Sequence, residues 1–508
     1  MELELDLDFK QAFNPDRFFF GVANAPYLCE GGYNTPEGIK NSYGALEASG
    51  QFERSGDAVR YWTDYAEQIK LAADLGLNAF RMGLEWARVQ PTTSLEPHAP
   101  PAWDEAAVEH YADIVATLLG HKMQPIITLH HFTHPAWLGP GLWQDEAQVR
   151  LLGDFQLRIV EEVNDRLQTR GAGLMRHFLV YNEANLVPLI YHFQGLMAAE
   201  QGPAAIARAY DNMFVNYVRV YDGLVDLFAR KGWGAPHIGT TIATLSAYEI
   251  DRMFLDVLRL RAWGVTRERA DEHLRACRET YTARVNALAR SKLTDAQYAR
   301  YQRLVAVSAA TVDLGSAFKR TFDALYASPR ARKLDYLSAN VYEPFGAAKG
   351  DDAFGDQPLW WEYAADGEVY RSYIHLYNER NDQRLPLYMG ENTLSYKQPI
   401  GAPAEPRPDG WTRERYFKTY FMEIVRAVKA GVPIAGYLYW SIVDDYEWDA
   451  GYAPRLGLYN YDYVNHRILP TDGLGEPAGP IYAHLIAALR SGDKEQVGRA
   501  FTRAYGQK

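Results

Sequence analysis

Eight short apolar runs alternate along the chain with stretches in which apolar residues recur every three or four positions. The runs are Phe18 to Ala23, Asn78 to Leu84, Gln124 to His130, His177 to Tyr181, His237 to Ile242, Leu334 to Val341, Leu385 to Met389 and Ile434 to Trp440. Short, nearly continuous apolar segments are the mark of strands buried on both faces, and the three-or-four spacing is that of helices with one buried stripe. Tyr61 to Leu75 shows the helical spacing plainly, and Gly76 stops it just before the second run. Eight strands alternating with helices predict an α/β protein, a (β/α)8 TIM barrel.

The rhythm is broken once, over 246–333, which reads as several helices inserted between strands five and six. That stretch carries 17 Lys and Arg against 10 Asp and Glu. Two readings follow: a basic docking surface or lid over the barrel mouth, or a set of solvated helical faces. With no low-complexity tract or internal repeat, residues 1–508 are expected to form a single domain carrying this insertion. The loops Gln90 to Pro101 and Lys397 to Gly410 are rich in Pro and Gly, and the second is expected to border the pocket.

Composition narrows the class of partner. A formal charge of −11 argues against a general nucleic-acid binder, which needs a concentrated basic surface. No apolar stretch of about 18 residues or more could span a bilayer. Cys29 and Cys277 are the only cysteines and imply neither a disulfide framework nor a Cys-based metal site. The acidic start lacks the regions of a signal peptide, so a cytoplasmic enzyme is expected. The 35 Tyr and 12 Trp suit stacking on sugar faces as well as ordinary packing.

The chemistry points to two strand ends. Glu183 in Tyr181-Asn182-Glu183-Ala184 and Glu391 in Tyr388-Met389-Gly390-Glu391-Asn392 lie 208 positions apart, yet a barrel gathers both at one mouth. Retaining glycoside hydrolysis needs such a pair, one acid to protonate the departing oxygen and one carboxylate to attack the anomeric carbon. Arg81, expected to end another barrel strand, could keep a nearby carboxylate ionised, and Asn182 could bind a sugar hydroxyl. His130 and His131 face opposite sides of an extended chain, so with His134 they make a poor metal set. Trp440, Glu447 and Trp448, in one strand-end loop, offer stacking faces and a bidentate acceptor. No dinucleotide or triphosphate loop is present.

At these motifs the chain resembles glycoside hydrolase family 1, the retaining β-glycosidases that include β-glucosidases and β-galactosidases. The likeness runs from about Phe18 to about Asp462 and includes Phe19 to Ala23 with Glu30-Gly31, Phe80-Arg81 with Trp86 to Pro91, Thr128 to Phe132, Asn182-Glu183, Asn340-Val341-Tyr342, Glu391-Asn392 and Trp440 through Gly457. The resemblance implies Glu391 as nucleophile and Glu183 as acid/base, with Arg81 and Tyr342 orienting and tuning the nucleophile. It implies that His131, Asn182, Asn340, Trp440, Glu447 and Trp448 bind the non-reducing sugar, with a carbohydrate or glycoside as partner and no cofactor or metal. Transfer of the sugar to an acceptor other than water, or a non-catalytic carbohydrate-binding barrel, are the alternatives.

Three departures bear on substrate choice. Where the family usually has Gln, this chain has Leu28, which supplies no hydrogen bond; the motifs around the two acids read Asn182-Glu183-Ala184 and Gly390-Glu391-Asn392-Thr393 instead of Asn-Glu-Pro and Thr-Glu-Asn-Gly. An atypical glycone, or another residue in place of the glutamine, is therefore expected. Glu447 would repel a phosphorylated sugar, and Arg455 is the only obvious base in its loop.

Overall fold

The computed structural model describes residues 6–192, 200–310, 318–349 and 360–506. Eight parallel strands form one closed ring: β1 Phe19–Ala23, β2 Ala79–Gly83, β3 Gln124–Thr128, β4 His177–Leu179, β5 in two halves, His237–Gly239 and Thr241–Ala243, β6 Leu337–Asn340, β7 Leu387–Glu391 and β8 Ile434–Trp440. Each pairs with its sequence neighbours, and β8 returns to β1 with Ala23 opposite Trp440. Helices cover the outside, so the strands are buried on both faces, which is why they read as continuous apolar runs. The fold is a single-domain TIM barrel.

The strands are trimmed relative to their apolar runs where side chains replace backbone partners. At the start of β6, the Asp335 carboxylate accepts the Ile238 amide at 2.9 Å, so the ladder begins two residues later. β5 breaks at Thr240, whose hydroxyl donates to the Tyr181 carbonyl at 3.1 Å. β7 runs on to Glu391 beyond its apolar stretch because Gly390 lacks a Cβ. One there would stand 2.6 Å from Ser338 Oγ and 2.9 Å from Asn340 Oδ1.

The insertion occupies the outer wall between β5 and β6 with helices that include Tyr248–Asp251, Met253–Arg259, Ala270–Lys292, Asp295–Ala310 and Lys319–Ala327. Its described residues line no part of the central cavity. Its charge is only partly a solvated face. Arg252 is buried, pairs with Asp256 at 2.9 Å, and donates to the carbonyls of Leu376, Tyr377 and Glu379 at the end of the helix Gly367–Asn378. Arg261 does the same for Leu325 and Ser328 at the end of Lys319–Ala327. Helix C-termini present unpaired carbonyls and partial negative charge, and cations satisfy both.

Replacing Arg252 with Ala strips three carbonyls of a donor and leaves Asp256 buried without its cation. Urea unfolding should show a loss of about 3–5 kcal/mol. The exposed Arg269→Ala should stay within about 0.5 kcal/mol of wild type.

Candidate active site

The barrel gathers its polar side chains at the C-terminal ends of the strands. Asn340 ends β6, Glu391 ends β7, Trp440 ends β8, and Glu183 lies four residues past Leu179 of β4, whereas Arg81 is the middle residue of β2 and not its end, because the pairing with β3 continues to Gly83. Arg81 has no exposed surface, and its guanidinium makes contacts in several directions. It meets Glu391 Oε1 at 2.6 Å, Asn182 Oδ1 at 2.7 Å, Thr128 Oγ1 at 3.0 Å and the Gly390 carbonyl at 3.3 Å. The Tyr342 hydroxyl donates to the other oxygen of Glu391 at 2.8 Å. Glu183 has a neutral donor instead, the Asn340 amide at 2.8 Å, and that amide also donates to Asn182 Oδ1 at 3.2 Å.

These surroundings separate two buried acids. Burial pushes Glu183 up to about 8, the negative charge of Glu391 adds to the rise, and the Asn340 hydrogen bond and Arg81 only partly oppose it. Burial raises Glu391 too, but the guanidinium and the Tyr342 hydroxyl favour its ionised form. When the two share one negative charge, the charge therefore rests on Glu391 and the proton on Glu183. Burial holds His131 neutral, helped by the cation of Arg81. Because Asn182 Oδ1 accepts from Arg81, its amide nitrogen donates to His131 Nε2 at 3.0 Å, which puts the imidazole proton on Nδ1.

A cavity of about 300 Å³ opens over the two acids, and Glu183, Glu391, His131, Asn182, Tyr342, Trp440, Glu447 and Trp448 all line it. Trp440 Nε1 donates to Glu447 Oε1 at 3.1 Å, and burial raises Glu447 to about 8. Trp448 packs among aromatic neighbours, with ring centroids 5.2 Å from Tyr43 and 5.1 Å from Phe132. Three lining residues sit in the left-handed region, Phe132 at φ +66°, Glu183 at +44° and Trp448 at +44°. Non-glycine residues keep such angles only where their surroundings over-determine them, typically at binding and catalytic sites.

Two sequence expectations change, those for Asn340 and for the Lys397 to Gly410 loop, and the structure also places Leu28 and Arg455. Asn340 was expected to bind sugar, but it is fully buried, does not line the cavity, and directs its amide to Glu183 and Asn182. Leu28 is also buried and outside the lining; its carbonyl accepts the Tyr446 amide at 3.1 Å. The Lys397 to Gly410 loop gives the cavity no lining residue and acts at one remove, Arg407 donating to the Tyr363 carbonyl at 3.1 Å. Arg455 is buried, donates to the Gln398 carbonyl and sits 3.8 Å from Asp444, so it is not presented to a phosphate. His130 and His131 do diverge, His130 packing on Trp143 and His131 stacking on Trp448.

Tyr43, Phe52, Leu186, Ile190, Ala243 to Leu245, Glu343, Tyr363 and Asp449 also line the cavity and had no individual sequence signal except two. Leu186 and Ile190 stand four positions apart, a helical spacing that puts them on one face, and the Ile190 amide donates to the Leu186 carbonyl at 3.0 Å.

Residues 10–470 match glycosyl hydrolase family 1. The chain is 23% identical to beta-glucosidase 42 of Arabidopsis thaliana, over 89% of this chain and 90% of that protein. It is 24% identical to probable inactive beta-glucosidase 14 of Oryza sativa subsp. japonica, over 91% and 89%. The beta-glucosidase from Thermotoga maritima, solved in complex with castanospermine, superposes with a TM-score of 0.63 at 19% identity, covering 94% of this chain and 98% of the other.

The raised value of Glu183 predicts a pH-dependent stability. An unfolded glutamate titrates near about 4.3 and the folded one near about 8. Between these values the folded state binds more protons than the unfolded one, so stability contributed by this group is lost as pH rises and is lowest above the folded value. Glu183→Gln removes that loss, and its melting temperature relative to wild type should climb as pH goes from about 5 to about 8. A pH-independent difference would refute the assigned protonation.

Proposed function

The chain belongs to glycosyl hydrolase family 1, and from that premise we propose that it is a retaining β-glycosidase with Glu391 as nucleophile and Glu183 as acid/base. The observation that carries the reading is the unequal treatment of two neighbouring acids, a guanidinium and a phenol on Glu391 and a neutral amide on Glu183.

In the first step, neutral Glu183 gives its proton to the glycosidic oxygen while the Glu391 carboxylate attacks the anomeric carbon. The carbon–oxygen bond breaks, the aglycone leaves as an alcohol, and an ester joins the sugar to Glu391. Arg81 and Tyr342 aim the carboxylate oxygens. Esterification removes the negative charge that had raised Glu183, so Glu183 is now easily ionised and serves as base. It takes a proton from water, the water oxygen bonds to the anomeric carbon from the face the aglycone left, and Glu391 departs as carboxylate. The sugar is released with its configuration retained.

Sugar recognition falls to Glu447, His131, Asn182, Trp440 and Trp448. With Leu28 in the core and no hydrogen-bonding side chain at that position, the glycone preference is proposed to differ from an ordinary glucose or galactose site. A panel of aryl β-glycosides tests this. Efficient β-glucoside hydrolysis, with a sugar-bound structure showing no polar contact in place of the missing amide, would contradict it.

Two experiments test the acid roles. Glu391→Gly should lose turnover and recover part of it with azide, giving a glycosyl azide of inverted configuration; wild-type activity in this variant would refute the nucleophile. The basic limb of the kcat/KM profile should fall near pH 8, the value of Glu183 in the free protein. In Glu183→Gln that limb should vanish for a 2,4-dinitrophenyl glycoside, whose leaving group needs little help from an acid.

A further inference from the structure

The two ends of the cavity differ in chemistry. Around Trp448 stand carboxylates and aromatic rings, whereas the side adjoining Glu183 brings four aliphatic residues, Leu186, Ile190, Ala243 and Leu245, into a lining that Glu343 and Tyr363 also share. Leu186 and Ile190 belong to the segment that carries Glu183, and the helix Val187–His192 includes the second of them. Ala243 ends β5 and Leu245 follows it. The two segments are stitched together: the Asn185 amide donates to the Ala243 carbonyl at 2.8 Å, and the Ala243 amide donates to Asn185 Oδ1 at 3.0 Å. Thr244, between the aliphatic residues, has its hydroxyl engaged with that of Tyr377 at 2.6 Å.

Leu245 is the unusual member, 46% exposed on a backbone that is not free to move away. Its amide donates to Asp251 Oδ1 at 2.6 Å, and the amide of Ser246, at φ +68°, donates to Asp251 Oδ2 at 2.9 Å. Asp251 is buried in the insertion, and Tyr281 donates to it from the helix Ala270–Lys292. An exposed leucine gains nothing from water. Fixed at the rim beside the acid, it extends the aliphatic wall outward.

We propose that this wall is the site of the leaving group and takes hydrophobic alcohols, so that the substrates are β-glycosides of alkyl or aryl aglycones and not β-linked oligosaccharides. The inference rests on Glu183 being the proton donor, because the group that receives its proton must lie on its side of the cavity. A second sugar there would set its hydroxyls against four aliphatic side chains that offer no hydrogen bond. An alkyl chain would instead remove the surfaces of Leu186, Ile190 and Leu245 from water.

The test is a series of alkyl β-glycosides, methyl to octyl, below their micellar concentrations, built on the glycone preferred in the aryl panel. For the wild type, kcat/KM should rise about fourfold per methylene over the first few carbons, and the octyl glycoside should be cleaved faster than the matching β-linked disaccharide. Leu245→Asp and Ile190→Ser should each reduce the octyl-to-methyl ratio by about tenfold, the first at a rim position where folding is not at stake. A flat series, or a disaccharide cleaved faster than the octyl glycoside, overturns the inference. Calorimetric binding of the methyl and octyl members of that same series to Glu391→Gln separates it from the hydrolytic reading. Tighter octyl binding by a protein that turns over nothing would keep the apolar site and remove the hydrolase, whereas equal affinities would overturn the site whatever the turnover.

Discussion

A guanidinium with no exposed surface, paired with a carboxylate at 2.6 Å inside the barrel, is the constraint on which the site depends. Removing an arginine from water costs several kcal/mol, and the cost is tolerable only when its donors meet acceptors in fixed places. Here those acceptors come from β3, the end of β4 and β7, so the register of the ring is part of how Arg81 is satisfied. The same cation decides where charge can exist in the cavity. Burial alone would drive both glutamates toward the neutral form, and Arg81, touching only one of them, makes them unequal.

The inequality spreads through neighbours that neither carry charge nor face the cavity. Asn340 is 2.8 Å from Glu183 and 3.2 Å from Asn182 Oδ1, and its own carbonyl oxygen is held by the Thr241 hydroxyl at 2.9 Å. That oxygen is thus marked as an acceptor, which fixes which end of the amide points at the acid. Gly390 allows the approach, since a Cβ there would press on Asn340. Removing Glu183, Glu391 or Arg81 would leave polar groups of this network buried and unpaired, so single deletions here should couple strongly and not add.

Much of the architecture was legible because a barrel strand covered on both faces has to be a continuous apolar run. Residues that break such runs with charge then stand out, as Arg81 does within β2 and Glu183 and Glu391 do at or beyond strand ends. What pattern could not show is which way a side chain at a strand end turns. Asn340 and Trp440 both end barrel strands, yet Trp440 lines the cavity and Asn340 lies outside its lining, and the difference is set by neighbours on β5 and β7 that are remote in sequence. Tyr43 and Phe52 were invisible for another reason. They come from the long connection after β1, where no periodicity constrains the chain, and packing on Trp448 brings Tyr43 to the mouth.

The charge excess of the insertion divides between exposed faces and buried work inside the fold. Counted by sequence it is basic, and a docking face or lid is a natural reading. In the fold, Arg252 and Arg261 terminate helices, while the residue that reaches toward the site is an acid, Asp251. Burial pushes Asp251 up to about 7, against the opposing pull of Tyr281 and the backbone amides of the loop it holds. A buried acceptor gripping two successive amides fixes that loop more firmly than packing alone, because moving it would leave an acid and two amides unpaired. The extra helices thus act on the cavity from a distance, by fixing the backbone that carries Leu245, and a loop so fixed gives the rim a set shape before any substrate arrives.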